Sequence, residues 1–409
     1  MTKATIEEDD GAAAAFAAFN EIVGGNDDAS PYAKQAELLA VGPVHAGMPE
    51  LGIENVKGEV PAFSIYGYDA VTQAYSTPEV FSSAVYADLT GPVMGRAIIE
   101  MDPPEHREYR MLLQQSFSKA EMVRWRRQVA APILEEMIAE IRPAGRAELV
   151  AGVLFDYPVR TIAGMIGLPP ETHRSFHRLA MELIAGPVDP DRAARAAATM
   201  AELCAPELAD RRRQPRDDML SILAEAEHEG QRLTDEEIYS FIRLLLPAGA
   251  ETTYRSSGNL LVGLFDHPDQ LELLLAERDR FPAAIDEGLR WETPLLLSPR
   301  ICAQDTTFFG TDIPAGAGIT LSISSANHDA SRWDDPERFD ITRPRKGHLA
   351  FGYQTHMCLG LHLAKMETEA LIESLFDGLP NLRPDPDVPP RITGSFMRSP
   401  RRLDVVWDA

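Results

Sequence analysis

The sequence predicts a mainly α-helical protein with small β-sheets, built around one long central helix. Three observations carry this. Alanine and leucine are abundant and aromatic residues make up only 7%, a balance that favours helix. Residues 105–142 and 191–212 are runs rich in Ala, Leu, Glu and Arg. The β-type runs are short and flank turn signals, at 60–66, 306–309 and 318–323.

Composition bounds the function. The chain has 409 residues, 44% of them hydrophobic and 25% charged, as in a globular protein with a real core. Its formal net charge of -24 repels nucleic-acid phosphates and anionic lipid heads. The three cysteines, Cys204, Cys302 and Cys358, are far apart and lack C-x-x-C spacing, which argues against a disulfide framework or a zinc site. The N-terminus is acidic and lacks the basic flank of a signal peptide. No apolar run approaches the ~18 residues of a membrane span. These features predict a cytoplasmic protein. The first 30 residues, rich in Ala, Gly and Asp, are expected to be partly flexible, and residues 31–409 to form one domain.

In chain order, the 105–142 and 191–212 helices come first. The long helix opens on Thr234-Asp235-Glu236-Glu237, a capping-box pattern, and stops at Asp266-His267-Pro268. Some 30 residues of helix reach roughly 45 Å. Its middle, Pro247-Ala248-Gly249, is a weak point: proline removes a donor and glycine costs ~1 kcal/mol against alanine. Such a flaw is either an incidental kink or a functional distortion. A further helix runs from near Pro282 to Thr293-Pro294 and carries Glu287 and Arg290 on one face. On the residues alone that pair is an ordinary ion pair. The last helix follows Cys358, whose sulfur would feel the positive end of the helix dipole. That favours the thiolate, the metal-binding form; a lone cysteine read alone is a small buried apolar residue.

Four ordered segments share a resemblance. Phe351, His356, Cys358 and Gly360 match the pattern F-x-x-G-x-[H/R/D]-x-C-x-G, with Gln354 at the usual glycine position; if that position needs positive φ, glutamine there costs free energy. Glu287-Gly-Leu-Arg290 matches E-x-x-R, with Asp335-Pro336-Glu337-Arg338-Phe339 downstream. Ala248-Gly249-Ala250-Glu251-Thr252-Thr253 matches [A/G]-G-x-[D/E]-T-[T/S]. Asp102-Pro-Pro-Glu105-His106-Arg107-Glu-Tyr-Arg110 resembles a haem-propionate clamp helix. Together they resemble the cytochromes P450 of the soluble bacterial type, a helical fold with a long central helix over haem.

The resemblance implies a haem b cofactor with Cys358 as iron ligand and O2 as co-substrate. It implies His106, Arg110, Arg300 and His356 as the propionate clamp. Glu251 and Thr252 would be the catalytic proton relay, and Glu287, Arg290 and Arg338 a structural network behind the haem. The variable segments that set substrate choice would be near 82–99, 172–194 and 394–398, and by position the substrate pocket would include Val93, Met94, Leu244, Ala248, Leu296 and Phe396. All but Ala248 are bulky and apolar, so a small hydrophobic substrate is expected. No flavin or iron–sulfur motif is present, so electrons would come from a ferredoxin and an NAD(P)H-dependent reductase. Arg107, Arg343, Arg345 and Lys346 would form the docking patch. The implied activity is O2-dependent hydroxylation or oxidative dealkylation; the alternative is a non-catalytic haem-thiolate ligand carrier or sensor.

Overall fold

The computed structural model describes residues 10–24, 30–48, 55–56 and 60–408. Helices dominate, as the composition predicts, and the β-structure is confined to small sheets. The largest sheet runs in the order Val44–Ala46, Val60–Ile65, Gly318–Ser322, Leu297–Cys302, Phe81–Ser82, with Asn55–Val56 paired to Val60–Ile65. Val60–Ile65 and Gly318–Ser322 pair in parallel, Ala62 opposite Gly318 and Ile65 opposite Leu321. The other pairs on this path are antiparallel. The β-runs at 60–66 and 318–323 lie side by side in it, and Thr306–Phe308 forms a hairpin with Thr311–Ile313.

Two apolar cores result. The larger one fills the space between helices, with Trp125, Leu134, Tyr157, Ile162, Phe176, Leu261 and Leu371 among its members. The smaller one lies under the sheet and includes Ile65, Phe81, Ile319, Leu321 and Leu349. The segment around Cys358 joins them. Leu349 belongs to the sheet core, while Phe351 and Leu359 pack on the helical one. Burying its ends in separate cores fixes the loop between two bodies of side chains.

The long helix is not continuous. Its capping box forms, with Glu237 N–H on Thr234 Oγ1 at 3.3 Å and Thr234 N–H on Glu237 Oε2 at 2.7 Å. The α-helix Asp235–Leu245 then gives way to a π-helical turn, Leu246–Glu251, and resumes as Thr252–Asp266. The break falls on the proline–glycine flaw. Pro247 has no N–H for the i→i−4 ladder, and a wider turn absorbs the mismatch. Gly249 permits close packing: a Cβ there would sit 3.2 Å from Ile162 Cδ1. The 105–142 run is likewise divided, into Glu105–Leu113, Lys119–Trp125 and Ala131–Ile141 with tighter or wider turns between. The 191–212 run is one helix, Pro190–Arg213.

Part of the N-terminal region is described. Asp10–Gly24 is a helix. Ala12 and Phe19 are buried, and the Phe16 ring lies 4.5 Å from that of Phe155. Apolar anchors on an alanine-rich stretch hold it against the helical core. The rest of the segment expected to be flexible lies outside the described residues, apart from Ser30.

Candidate active site

Cys358 ends a tight loop. Its backbone N–H donates to the Phe351 carbonyl at 2.7 Å, and Leu349 N–H donates to Asn327 Oδ1 at 2.7 Å. Two residues adopt left-handed backbone, Gly352 at φ 71° and Gln354 at φ 54°. The usual glycine position therefore does need positive φ here, and glutamine holds it. Helix Leu361–Gly378 follows Gly360. Burial pushes the Cys358 thiol up, while the Gly360 backbone N–H and the Arg110 guanidinium pull it back. Electropositive neighbours of that kind favour a thiolate once a cation compensates for desolvation.

Basic side chains surround this sulfur. Helix Glu105–Leu113 supplies buried His106 and half-buried Arg110, which face each other electrostatically. Burial, then His356 and Arg110, lower the His106 pKa to about 4. The rings of His106 and His356 lie 4.3 Å apart. Burial also lowers the His356 pKa, with Asp102 opposing and Arg300 and Arg110 reinforcing. His356 Nε2 is 3.1 Å from Ser83 Oγ and 3.8 Å from Asp102 Oδ1. Arg300, on strand Leu297–Cys302, donates to Ser298 Oγ at 3.0 Å and to the Pro299 carbonyl at 2.7 Å. The sheet, the clamp helix and the cysteine loop thus converge on one spot. Ser83 was not anticipated, and Asp102, four residues before His106, was visible only as the first residue of the clamp-helix segment, with no role assigned.

The π-turn carries the acid–alcohol pair. Ala248 is exposed, on a turn whose Gly249 packs against Ile162. Thr252 Oγ1 donates to the Ala248 carbonyl at 2.8 Å, the back-bond of a helical threonine. Glu251 is buried, at 2% exposure. Burial raises its carboxyl pKa although Arg255 opposes it. Arg255 reaches Glu251 Oε1 from Nη2 at 2.9 Å and from Nε at 3.3 Å. Arg255 escaped the sequence reading, yet its i,i+4 spacing from Glu251 was a legible signal.

Glu287 and Arg290 are buried and bidentate, at 2.8 Å for each bond. The third arginine is not Arg338. That side chain is 60% exposed, and only its carbonyl takes part, accepting from Arg290 Nη2 at 3.1 Å. Arg343 closes the network instead, with Nε 3.4 Å from Glu287 Oε1. Arg343 is therefore withdrawn from the proposed docking patch. Lys346 stays exposed and without an ion pair among the described residues, donating to the Arg332 carbonyl at 2.7 Å with its ammonium 5.9 Å from the Trp333 ring centroid. Arg107 and Arg345 are exposed and form no ion pair among the described residues. Of the pocket candidates, Met94, Leu244 and Leu296 are buried, Val93 and Phe396 half-buried, and Ala248 exposed.

The donor set suits haem. Arg110 and Arg300 pair with no carboxylate among the described residues, and they stand beside two histidines and a thiol. Two unpaired guanidinium groups match two propionates, and a thiol matches a soft metal ligand. Comparison with known proteins decides the matter. The family profile described as Cytochrome P450 matches residues 191–405. Cytochrome P450 monooxygenase PikC of Streptomyces venezuelae is 32% identical over 368 residues, 87% of this chain and 86% of that protein.

The chain belongs to the cytochrome P450 family.

A second relative of this P450, the steroid C26-monooxygenase of Mycolicibacterium smegmatis, is 33% identical over 350 residues, 83% of this chain and 86% of that one. The fold is similar to that of CYP109E1 from Bacillus megaterium in complex with testosterone: TM-score 0.84, 28% identity, covering 93% of this chain and 100% of that one. This P450 is a haem-dependent monooxygenase. No helix among its described residues is long and apolar enough to cross a membrane.

Proposed function

We propose that this P450 oxygenates a hydrophobic small molecule of steroid-like size with electrons from a ferredoxin. The convergence of His106, Arg110, Arg300 and His356 around Cys358 carries the reading. In it, Cys358 is the iron ligand and the four basic residues hold the propionates of haem b. When bound, the haem iron supplies O2 activation and oxygen-atom transfer.

The chain's own part is positioning and proton management. Arg110 and Arg300 offer fixed guanidinium forks to carboxylates. Asp102 and Ser83 orient the His356 ring. Glu251 carries protons inward from solvent, and the Thr252 hydroxyl holds the inner end of that route. Its back-bond to Ala248 is exchangeable, because a threonine hydroxyl can rotate to another acceptor. Bulky apolar side chains at Val93, Leu244, Leu296 and Phe396 would exclude water and favour an apolar substrate. Relatives named for steroids, and a structural neighbour holding testosterone, support the size class. Hydroxylation is the reaction favoured, with oxidative dealkylation as its variant where the attacked carbon bears a heteroatom.

Two measurements test this. Titration with a steroid, a fatty acid, a monoterpene and an aromatic ether should give the largest haem absorption shift with the steroid. Equal silence across the panel would refute the size class. Reconstitution with a ferredoxin and its reductase should give product for NAD(P)H consumed. In Thr252→Ala a larger share of that reductant should appear as peroxide; unchanged coupling would remove Thr252 from the proton route.

A further inference from the structure

The Glu251–Arg255 pair does not stand alone. Arg255 Nη1 donates to Ser399 Oγ at 2.9 Å, and Nη2 is shared between Glu251 Oε1 and Asn20 Oδ1 at 2.5 Å. The same Asn20 oxygen accepts from the Tyr254 hydroxyl at 3.1 Å. Asn20 belongs to the N-terminal helix Asp10–Gly24. That helix is fixed by Phe19 in the core and by Phe16 against Phe155. Phe155 in turn packs edge-on to Tyr254 at 5.5 Å. Glu251 and Arg255 are each 3% exposed at the side chain. An element at the far end of the sequence therefore covers the outer end of the candidate proton carrier.

We propose that Asn20 is a positioning residue for proton delivery: it anchors Arg255 against Glu251, so that solvent protons reach the carboxylate only under the control of that guanidinium. This rests on the reading of Glu251 as proton carrier. The physical argument concerns one shared donor. A guanidinium with acceptors on three sides cannot swing without losing a buried hydrogen bond, which is costly. Asn20 supplies the outermost of those acceptors. It also holds the Tyr254 ring, which fills the space beside Arg255; the guanidinium lies 5.0 Å from that ring's centroid. Without Asn20, two donors, Tyr254 Oη and Arg255 Nη2, would recruit water at the mouth of the pair. Glu251 would then exchange protons with solvent without control by Arg255.

The test uses Asn20→Ala, Asn20→Asp, Glu251→Gln and the double variant Asn20→Ala/Glu251→Gln in the full chain with haem. Three readouts are taken: the solvent isotope effect on turnover, peroxide formed per NAD(P)H, and amide hydrogen exchange of the resting protein. Asn20→Ala should lower the solvent isotope effect and raise the peroxide share by about twofold or more. Glu251→Gln should slow turnover by about 10²-fold. The double variant should match Glu251→Gln alone, because Asn20 acts only through Glu251. Asn20→Asp keeps the acceptor and adds a charge that competes with Glu251 for Arg255. Residues 10–24 should stay protected from exchange in that variant while the peroxide share still rises, which separates positioning from mere docking of the helix.

Effects of Asn20→Ala that multiply with those of Glu251→Gln would overturn the proposal. So would wild-type coupling in Asn20→Asp with the helix still protected. Should Asn20→Ala fail to fold, the aspartate variant decides. A Glu251→Gln enzyme indistinguishable from wild type would instead remove the proton-carrier reading, and the role of Asn20 with it.

Discussion

At the scale of single residues, the cysteine loop shows how much strain a site accepts. Gln354 sits at φ 54°, where a side chain with a Cβ costs about 1–2 kcal/mol. Gln354→Gly would relieve that, offset by roughly 0.5–1 kcal/mol of extra backbone freedom in the unfolded chain. The expected net is a stabilisation of about 0.5–1 kcal/mol in urea unfolding; a less stable variant would show that the glutamine makes a compensating contact. Gly352→Ala should do the opposite and lose more than ~1 kcal/mol. Its φ is 71°, and its Cβ would press on the His356 carbonyl at 3.3 Å, so no rotamer relieves it. Cys358→Ser should bind haem with a spectrum lacking thiolate character, and an unaltered spectrum would exclude Cys358 as ligand. The motif residues were legible because their chemistry is local. The need for positive φ at Gln354 was legible only as a condition, since a backbone angle depends on the whole path of the loop.

At the scale of elements, the networks between helices depend on paths that sequence spacing does not encode. Glu287 and Arg290 share a helix, so their pairing could be read from an i,i+3 interval. The third arginine comes from a segment without regular structure, where neighbouring residues point in unrelated directions. Arg338 points out and Arg343 points in. Removing one partner of a buried ion network costs about 3–5 kcal/mol, so Arg343→Ala should destabilise by that order. Arg338→Ala should stay within roughly 0.5 kcal/mol, because its contribution is a backbone carbonyl. Equal losses in denaturant midpoints would refute the assignment. The π-turn was half legible: Pro247 and Gly249 marked where the long helix must fail, but not that it would widen rather than bend. Nothing marked Glu367. This residue of helix Leu361–Gly378 is fully buried, neither carboxyl oxygen has a hydrogen bond of ordinary geometry, and the Thr253 hydroxyl lies alongside. Burial raises its pKa well above the usual range, so the folded state keeps the proton and the unfolded state releases it near pH 4.5. Its effect on stability is then constant below that pH, and stability falls as pH rises, by up to ~1.4 kcal/mol per unit, until the folded pKa is passed. Glu367→Gln, always neutral, should gain on wild type as pH rises from 5 to about 8, with thermal melts as the measure. A gap that does not change with pH would mean that Glu367 is ionised in the fold.

At the scale of the whole molecule, electrostatics sets a problem that the surface must solve locally. A chain with a net charge of -24 would repel the acidic ferredoxin proposed as its electron donor at long range, so capture would depend on unpaired cations near the ligand loop. Arg343 is spent on the buried Glu287 network. Near that loop, Arg107, on the helix that carries His106 and Arg110, is exposed and without an ion pair among the described residues, as are Arg345, Lys346 and Lys119. Lys119 acts on His362, four residues beyond Cys358, which places it on the same side. Met357, next to the cysteine and 44% exposed, would give such a patch an apolar centre. On the proposed reading, such a patch would lie around the cysteine loop. Arg107→Glu and Lys119→Glu should each raise the KM for ferredoxin about tenfold at low salt, equivalent to ~1.4 kcal/mol, while leaving kcat at saturating donor unchanged. The difference should shrink towards zero near about 0.5 M salt, where the screening length is only a few Å. Arg343→Ala should not follow this pattern; its effect should appear in stability and persist at high salt, because a buried pair is little screened. Charge reversal at Arg107 and Lys119 with no change in the low-salt KM would mean that the donor approaches by another face.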